Sequence, residues 1–275
     1  MGFTRFLSIA AASATLLLAG IAGCKKDDNK AATYIEDKDF GAEYARFEQL
    51  SNNAITFTDQ AYHARSLALK GGDVLGSSCA TVSVDTAIKT VGVDFGTVNC
   101  LCKDARYRRG RIISKYTNGY NDSGSVHTIV FDNYYINDNK IEGSVIVTNL
   151  GKNKQGLLNY SVETSVTFLT PKGITAKRTS MQKRIYTAGG YSGNVYDDRY
   201  EVTGWGSLYR ADGSAYTTSI KQAIEIDPNC DWPMQGVVEL IPPHGIARVL
   251  NYGGPGCDNK ATLTINGEVT DITLE

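Results

Sequence analysis

VHTIVFDNYYINDNKIEGSVIVTN, residues 126–149, reads as two strands and the turn that joins them. Val, Ile, Thr, Phe and Tyr fill both halves, 126–135 and 140–149, and neither half repeats its apolar residues at helical spacing. Between them, Asn137-Asp138-Asn139 are residues that accept positive φ at little cost, so the chain reverses and the halves pair antiparallel.

The same grammar extends in both directions. Towards the N-terminus it predicts strands over 81–84, 90–95 and 109–116. Towards the C-terminus it predicts 159–169, 175–186, 200–209, 215–226, 236–240, 246–251, 261–265 and 268–274. Pro171-Lys172-Gly173, Asp212-Gly213 and Asn266-Gly267 supply turns, and 28 Gly and 16 Tyr against 6 Pro suit a strand-rich body. Consecutive strands then pair as a meander. The expected fold is mainly β, an antiparallel open barrel or long curved sheet spanning 79–275.

Before the strands the period changes. Asp39 caps a predicted helix over 39–72, in which Phe40, Tyr44, Phe47 and Leu50, then Ala61, Ala64 and Leu67, recur at helical spacing up to Gly71-Gly72. Asn52-Asn53 marks a place where it divides in two. A narrow apolar stripe of this kind is expected to pack on the chain's own sheet.

The first 23 residues carry Arg5, an apolar run over 6–18 and a small-residue approach to Cys24. The run is too short to span a bilayer, and the segment has the anatomy of a secretory signal. Leu18-Ala19-Gly20-Ile21-Ala22-Gly23-Cys24 resembles the lipobox of bacterial lipoproteins, which implies acylation of Cys24, removal of 1–23 and a membrane anchor. The polar stretch after the cysteine, within an expected tether over 24–38, begins Lys25-Lys26-Asp27-Asp28. It resembles the export signal that sends Bacteroidetes lipoproteins to the cell surface.

Several internal stretches point the same way: Asp94-Phe95-Gly96 before Cys100, Arg108-Arg109-Gly110-Arg111-Ile112-Ile113, Thr128-Ile129-Val130-Phe131-Asp132-Asn133-Tyr134-Tyr135, Lys140-Ile141-Glu142-Gly143, Val147-Thr148-Asn149 and Cys257-Asp258-Asn259-Lys260-Ala261-Thr262. Together they resemble a family of Bacteroidetes outer-membrane lipoproteins with no assigned activity. The resemblance implies an outer-membrane, lipid-anchored location and carries no catalytic residue.

Cysteine usage fits an exported chain. Cys79 and Cys100 flank the first predicted hairpin and Cys230 and Cys257 flank the one over 236–251, which makes each pair a disulfide candidate. Cys102 is left over. Cys100-Leu101-Cys102 also has the look of a redox pair or half a metal site, but no histidine lies near it in sequence, and one bridge plus a spare thiol is the preferred reading.

The full chain has a net charge of −1, or −2 once removal of 1–23 deletes Arg5, so nucleic acid is not an expected partner. His63, His127 and His244 lack metal-ligand spacing, and phosphate-binding, dinucleotide-binding and nucleophile-elbow motifs are absent. Neither cofactor nor metal is expected. Glu142, Glu163, Glu201 and Glu239 are the carboxylates from which distant strands would build a glycosidase pair. The basic residues Lys103, Arg106, Arg108, Arg109, Arg111 and Lys115 would suit an acidic glycan, though guarding an exposed strand edge is preferred. Asp197, Asp198 and Glu201 lack the spacing of a calcium loop. Tyr134, Tyr135, Trp205 and Tyr209 are the candidate ligand-binding aromatics, a stacking platform for sugars.

The sequence thus anticipates a lipid-anchored envelope component with a binding or structural role and no catalytic residues. Glycan, or another envelope protein, is the expected ligand. A hydrophobic-ligand carrier is the alternative, and a glycan-active enzyme the third reading.

Overall fold

The computed structural model describes residues 1–2, 29–64, 80–102, 104–192 and 194–274. Cys24 with its leader and export stretch, Leu67, Gly71-Gly72, Cys79 and Lys103 lie outside the described residues.

Among the described residues one helix, α1 (Asn29–Ala64), precedes fourteen strands. They are β1 (Thr81–Asp85), β2 (Thr90–Asp94), β3 (Cys100–Leu101), β4 (Tyr107–Tyr116), β5 (Val126–Ile136), β6 (Asn139–Lys152) and β7 (Leu158–Leu169), followed by β8 (Thr175–Ala188), β9 (Arg199–Arg210), β10 (Ala215–Ile226), β11 (Gln235–Ile241), β12 (Arg248–Asn251), β13 (Lys260–Ile265) and β14 (Glu268–Thr273). All belong to one antiparallel meander, each strand bonded to the next, except that β3 pairs with β4 beside β2. The sheet does not close, and β1 and β14 remain its edges. Every strand expected from residue alternation is present. The two-residue β3 is additional, being too short to show a period.

The helix departs from expectation at its start and in the middle. It begins at Asn29, inside the stretch read as tether, and passes unbroken through Asn52-Asn53 to Ala64, beyond which the predicted helical segment lies outside the described residues. Those two asparagines do not break it because their side chains have partners: Asn52 Oδ1 accepts from Arg184 at 2.6 Å and Asn53 Oδ1 from Arg108 at 2.5 Å. Such contacts remove the competition with backbone groups that makes Asn a poor helix former.

Contacts of α1 show how the sheet is shaped. Phe57 packs edge-on against Phe95 just after β2, Phe47 stacks on Phe168 of β7 at 4.3 Å, and Leu263 of β13 lies against Gly41. Laid flat, β2 and β13 would stand about 50 Å apart. Gly41 and Phe57 lie only about 24 Å apart along the helix axis, so α1 reaches both strands because the sheet curls around it. α1 is therefore the centre of the core, as the expectation of packing on its own sheet required.

Burial on nearly all sides brings polar residues of the helix inside. Ser51 and Thr58 return their hydroxyls to the carbonyls of Phe47 and Ala54 at 2.9 Å each. Glu48, 1% exposed, cannot be satisfied in that way. Its carboxylate receives Arg178 Nη2 and, at 2.8 Å, Gln182 Nε2. Both donors come from β8, whose inward face reads Ala176, Arg178, Ser180, Gln182, Arg184, Tyr186. Glu48 and Asn52 stand one helical turn apart and meet residues alternating along that strand, so the polar contacts fix how far α1 slides along the sheet.

A bulge corrects one of the aromatic candidates. In β5 the inward residues are His127 and Ile129, and alternation from there would turn Tyr135 inward and Tyr134 outward. Asn133 instead takes φ 46°, opposite Gly110 at φ 82°, and the pairing register shifts there. A Cβ on Gly110 would stand 1.9 Å from the Asn133 carbonyl oxygen, so only glycine fits. The extra residue reverses the facing of the rest of the strand, and Tyr134 becomes fully buried against Phe95 and Phe131.

Cys230 and Cys257 form a disulfide with Cα atoms 5.5 Å apart, as their flanking positions suggest. Closing that loop stabilises by about 3–4 kcal/mol in the chain-entropy account. Cys100 is disulfide-bonded and Cys102 is a buried free thiol. The edge-guard reading of the basic cluster fails, because β4 is an interior strand between β2 and β5. Arg108 is wholly buried on Asp104 and Asn53, while Arg109 pairs with Asp138 and Arg111 with Asp132.

Glu48→Ala should cost about 3–5 kcal/mol in urea unfolding of the oxidised protein, because it strands the Arg178 charge. A Glu48→Leu/Arg178→Met double variant should lose much less than the sum of its single changes.

Candidate functional site

The four candidate aromatics do not share a surface. Tyr134 is in the core, and Tyr135 lies beneath the Arg109 guanidinium, 3.8 Å from ring centroid to carbon. Trp205 and Tyr209 point outward from β9, 64% and 52% exposed. Three strands separate β9 from β5, so the platform is reduced to the β9 pair.

Trp205 closes a row of register partners across four strands: Ile146 of β6, Glu163 of β7, Met181 of β8, then Trp205. The neighbouring row consists of hydroxyls, Ser144, Ser165, Thr179 and Ser207, with Thr179 and Ser207 bonded at 2.7 Å. All of these except Ser207 line a shallow trough of about 240 Å³ on the outer face of the sheet. Gly204 beside the tryptophan, at φ 135°, lets β9 approach β8 so closely that a Cβ would lie 2.3 Å from the Met181 carbonyl oxygen. Trp205 thus rises beside a close approach of β8 and β9 and offers an indole face next to hydroxyl donors and one carboxylate.

The glutamates proposed for a catalytic pair stay apart. Glu142 binds Lys140, Glu239 binds Lys221 at 2.8 Å, and Glu163 and Glu201 are exposed on β7 and β9. Two aspartates come together instead. Asp59 of α1 and Asp198, after the 3-10 turn Val195–Asp197, line one cavity with His63, Tyr120 and Tyr186. Burial pushes Asp59 up to about 7, against the opposing effects of a Tyr120 hydrogen bond and the Arg184 charge. Burial and the adjacent Asp197 raise Asp198 to about 7 as well.

Perturbed carboxyls of this kind are what catalysis uses, but the cavity measures about 10 Å³, room for one water and no substrate. Sequence spacing held no sign of this pair, whose members lie in the helix and in a loop far along the chain. His127 sits nearby among Tyr62, Tyr116 and Tyr120, its pKa lowered to about 4 by burial and by His63. Among the described residues no group of His, Cys, Asp and Glu is placed to hold a metal ion. Asp197 accepts from Ser192, and Glu201 projects outward from β9.

A second concavity lies where α1 meets the turn before β4 and the connection from β10 to β11. Gln49 donates to the Asp231 carbonyl, and Arg106 bridges Asp104 at 3.4 Å and Asp231 at 3.2 Å. Its walls come from four segments distant in sequence, so no local motif announces it. Compared with family models, curated proteins and solved structures, the chain matches none of them.

The buried carboxyl makes a signed prediction. The folded state holds the Asp59 proton more tightly than the unfolded chain, so its contribution is complete below the ordinary carboxylate value and is lost as pH rises towards 7. His127 titrates in the same window with opposite sign, and the difference between wild type and Asp59→Asn isolates the aspartate. That difference should swing in favour of Asp59→Asn between pH 4 and 7, by at most about 1.4 kcal/mol per pH unit. Urea unfolding at a series of pH values measures it, and a flat difference would refute the assignment.

Proposed function

We propose that the protein is a lipid-anchored, non-catalytic component of the outer envelope that binds glycan on the outer face of its sheet. The observation that carries this reading is Trp205, 64% exposed beside a row of Ser and Thr hydroxyls. A sugar ring has an apolar C–H face and an equatorial rim of hydroxyls. An indole face takes the first, and Ser165, Thr179, Ser207 and Glu163 lie where they can bond the second. An envelope location draws support from the Cys230–Cys257 bridge, which suits an oxidising compartment. The Cys24 anchor rests on the sequence alone.

The alternatives have less support. A carrier of acyl chains needs an empty apolar concavity, and α1 fills the concave face of this sheet with Phe47, Ile55 and Phe57. A glycan-active enzyme needs accessible paired carboxyls, and Asp59 and Asp198 share space for one water.

Affinity electrophoresis through gels cast with neutral polysaccharides tests the outer-face site. Trp205→Ala should weaken retention about tenfold, equivalent to about 1.4 kcal/mol, with an unchanged melting temperature. Equal retention of wild type and variant would sink the reading. For location, protease added to intact cells should digest the wild type and spare a variant with Lys25, Lys26, Asp27 and Asp28 replaced by Ala. Protection of both would place the protein in the periplasm.

A further inference from the structure

The concavity beside α1 has the chemistry of a ligand site, and it stands independently of the outer face. Its volume is about 120 Å³, open to solvent on one side, whereas one water needs about 10–15 Å³ on the same measure. It therefore accommodates roughly ten waters, or a molecule of about a dozen non-hydrogen atoms. Two polar atoms of its lining residues are buried with no hydrogen-bond partner among the described residues: Gln60 Oε1, on a side chain 9% exposed, and Trp232 Nε1. A buried amide oxygen and a buried indole N–H left unpaired are costly in a folded protein. A ligand that donates to one and accepts from the other would remove that cost.

The remaining donors are found by elimination. Arg184 and Arg108 are donors only, so the Asn52 and Asn53 atoms that meet them are carbonyl oxygens. Both amide nitrogens are thereby left over on residues that line the cleft. Ionic groups, in contrast, are already matched. Asp104 takes both Arg108 and Arg106, Asp231 takes Arg106, and Asp227 takes Arg199 at 2.8 Å. Among the described residues that line the cleft, every charge has a partner of opposite sign. Phe57, Tyr200 and the Trp232 ring supply an apolar wall.

An uncharged molecule of about a dozen non-hydrogen atoms, with several hydroxyls and one apolar face, matches all these constraints. The geometry points to the cleft formed by Gln60, Trp232, Asn52 and Asn53 as a binding site for one residue of a neutral saccharide.

The chain's two tryptophans make the test specific, because one lies at each proposed site. In the Trp205→Phe protein Trp232 is the sole tryptophan, and its emission is followed during titration with glucose, galactose, mannose and N-acetylglucosamine. At least one sugar should give a saturable change, with glucuronate and glucosamine weaker by about tenfold or more. Gln60→Leu in the same background should weaken that response by about tenfold, with circular dichroism and melting confirming its fold. If Gln60→Leu does not fold, Trp232→Phe read by calorimetry should show the same loss. No saturable change with any of the four neutral sugars would overturn the site, as would equal affinity for the charged sugars or an unchanged response in Gln60→Leu. A response seen in the wild type and lost in Trp205→Phe would assign binding to the outer face and also overturn it.

Discussion

A carboxylate sits at the centre of this molecule, and the rest of the structure is arranged so that it is never alone. Glu48 is surrounded by the curled sheet and receives both Arg178 and Gln182. Apolar packing alone would let α1 slide or rotate under the strands, since Phe, Ile and Val are interchangeable neighbours for one another. A buried charge has no such tolerance, because any displacement leaves it unpaired at a cost of several kcal/mol. Asn52 with Arg184, and Asn53 with Arg108, repeat the same constraint one turn further along. The arginines of β4 and β8 therefore determine where the helix lies, and the helix determines how tightly the sheet can curl.

That arrangement explains which parts of the fold were legible in the sequence. Strand positions were, since turn residues such as Asn266-Gly267 and the runs of Val, Ile, Thr and Tyr act locally. The inward face of β8 was not. Its buried residues include Arg178, Gln182 and Arg184, which by residue type alone belong in water, and only partners from α1 reverse that. Tyr134 was misplaced for a different reason: alternation is a counting rule, and one bulged residue at Asn133 restarts the count. The asparagine pair in α1 suggested a break because its partners lie far along the chain.

The candidate sites divide in the same way. Trp205 was visible as an aromatic on a predicted strand, and its exposure needed only the correct face of β9. The cleft beside α1 was invisible, because Gln60, Arg106 and Trp232 come from three segments and acquire a relationship only when the sheet curls round the helix. Asp59 and Asp198 belong with the cleft in this respect. Each is an ordinary polar residue in its own stretch, and only shared burial alters its chemistry.

The placement of α1 also governs how the chain can be assembled. The hairpins are local and can form early, each strand finding its neighbour within a short loop. The helix is made first, yet its partners are spread along the chain, with 130 residues between Glu48 and Arg178 and Leu263 further still. Until those strands arrive, Phe47, Ile55 and Phe57 have nothing to cover them. The inward faces of strands from β2 to β13 in turn depend on the same helix. A cut anywhere between those strands would therefore leave part of the inward face without the helix that covers it.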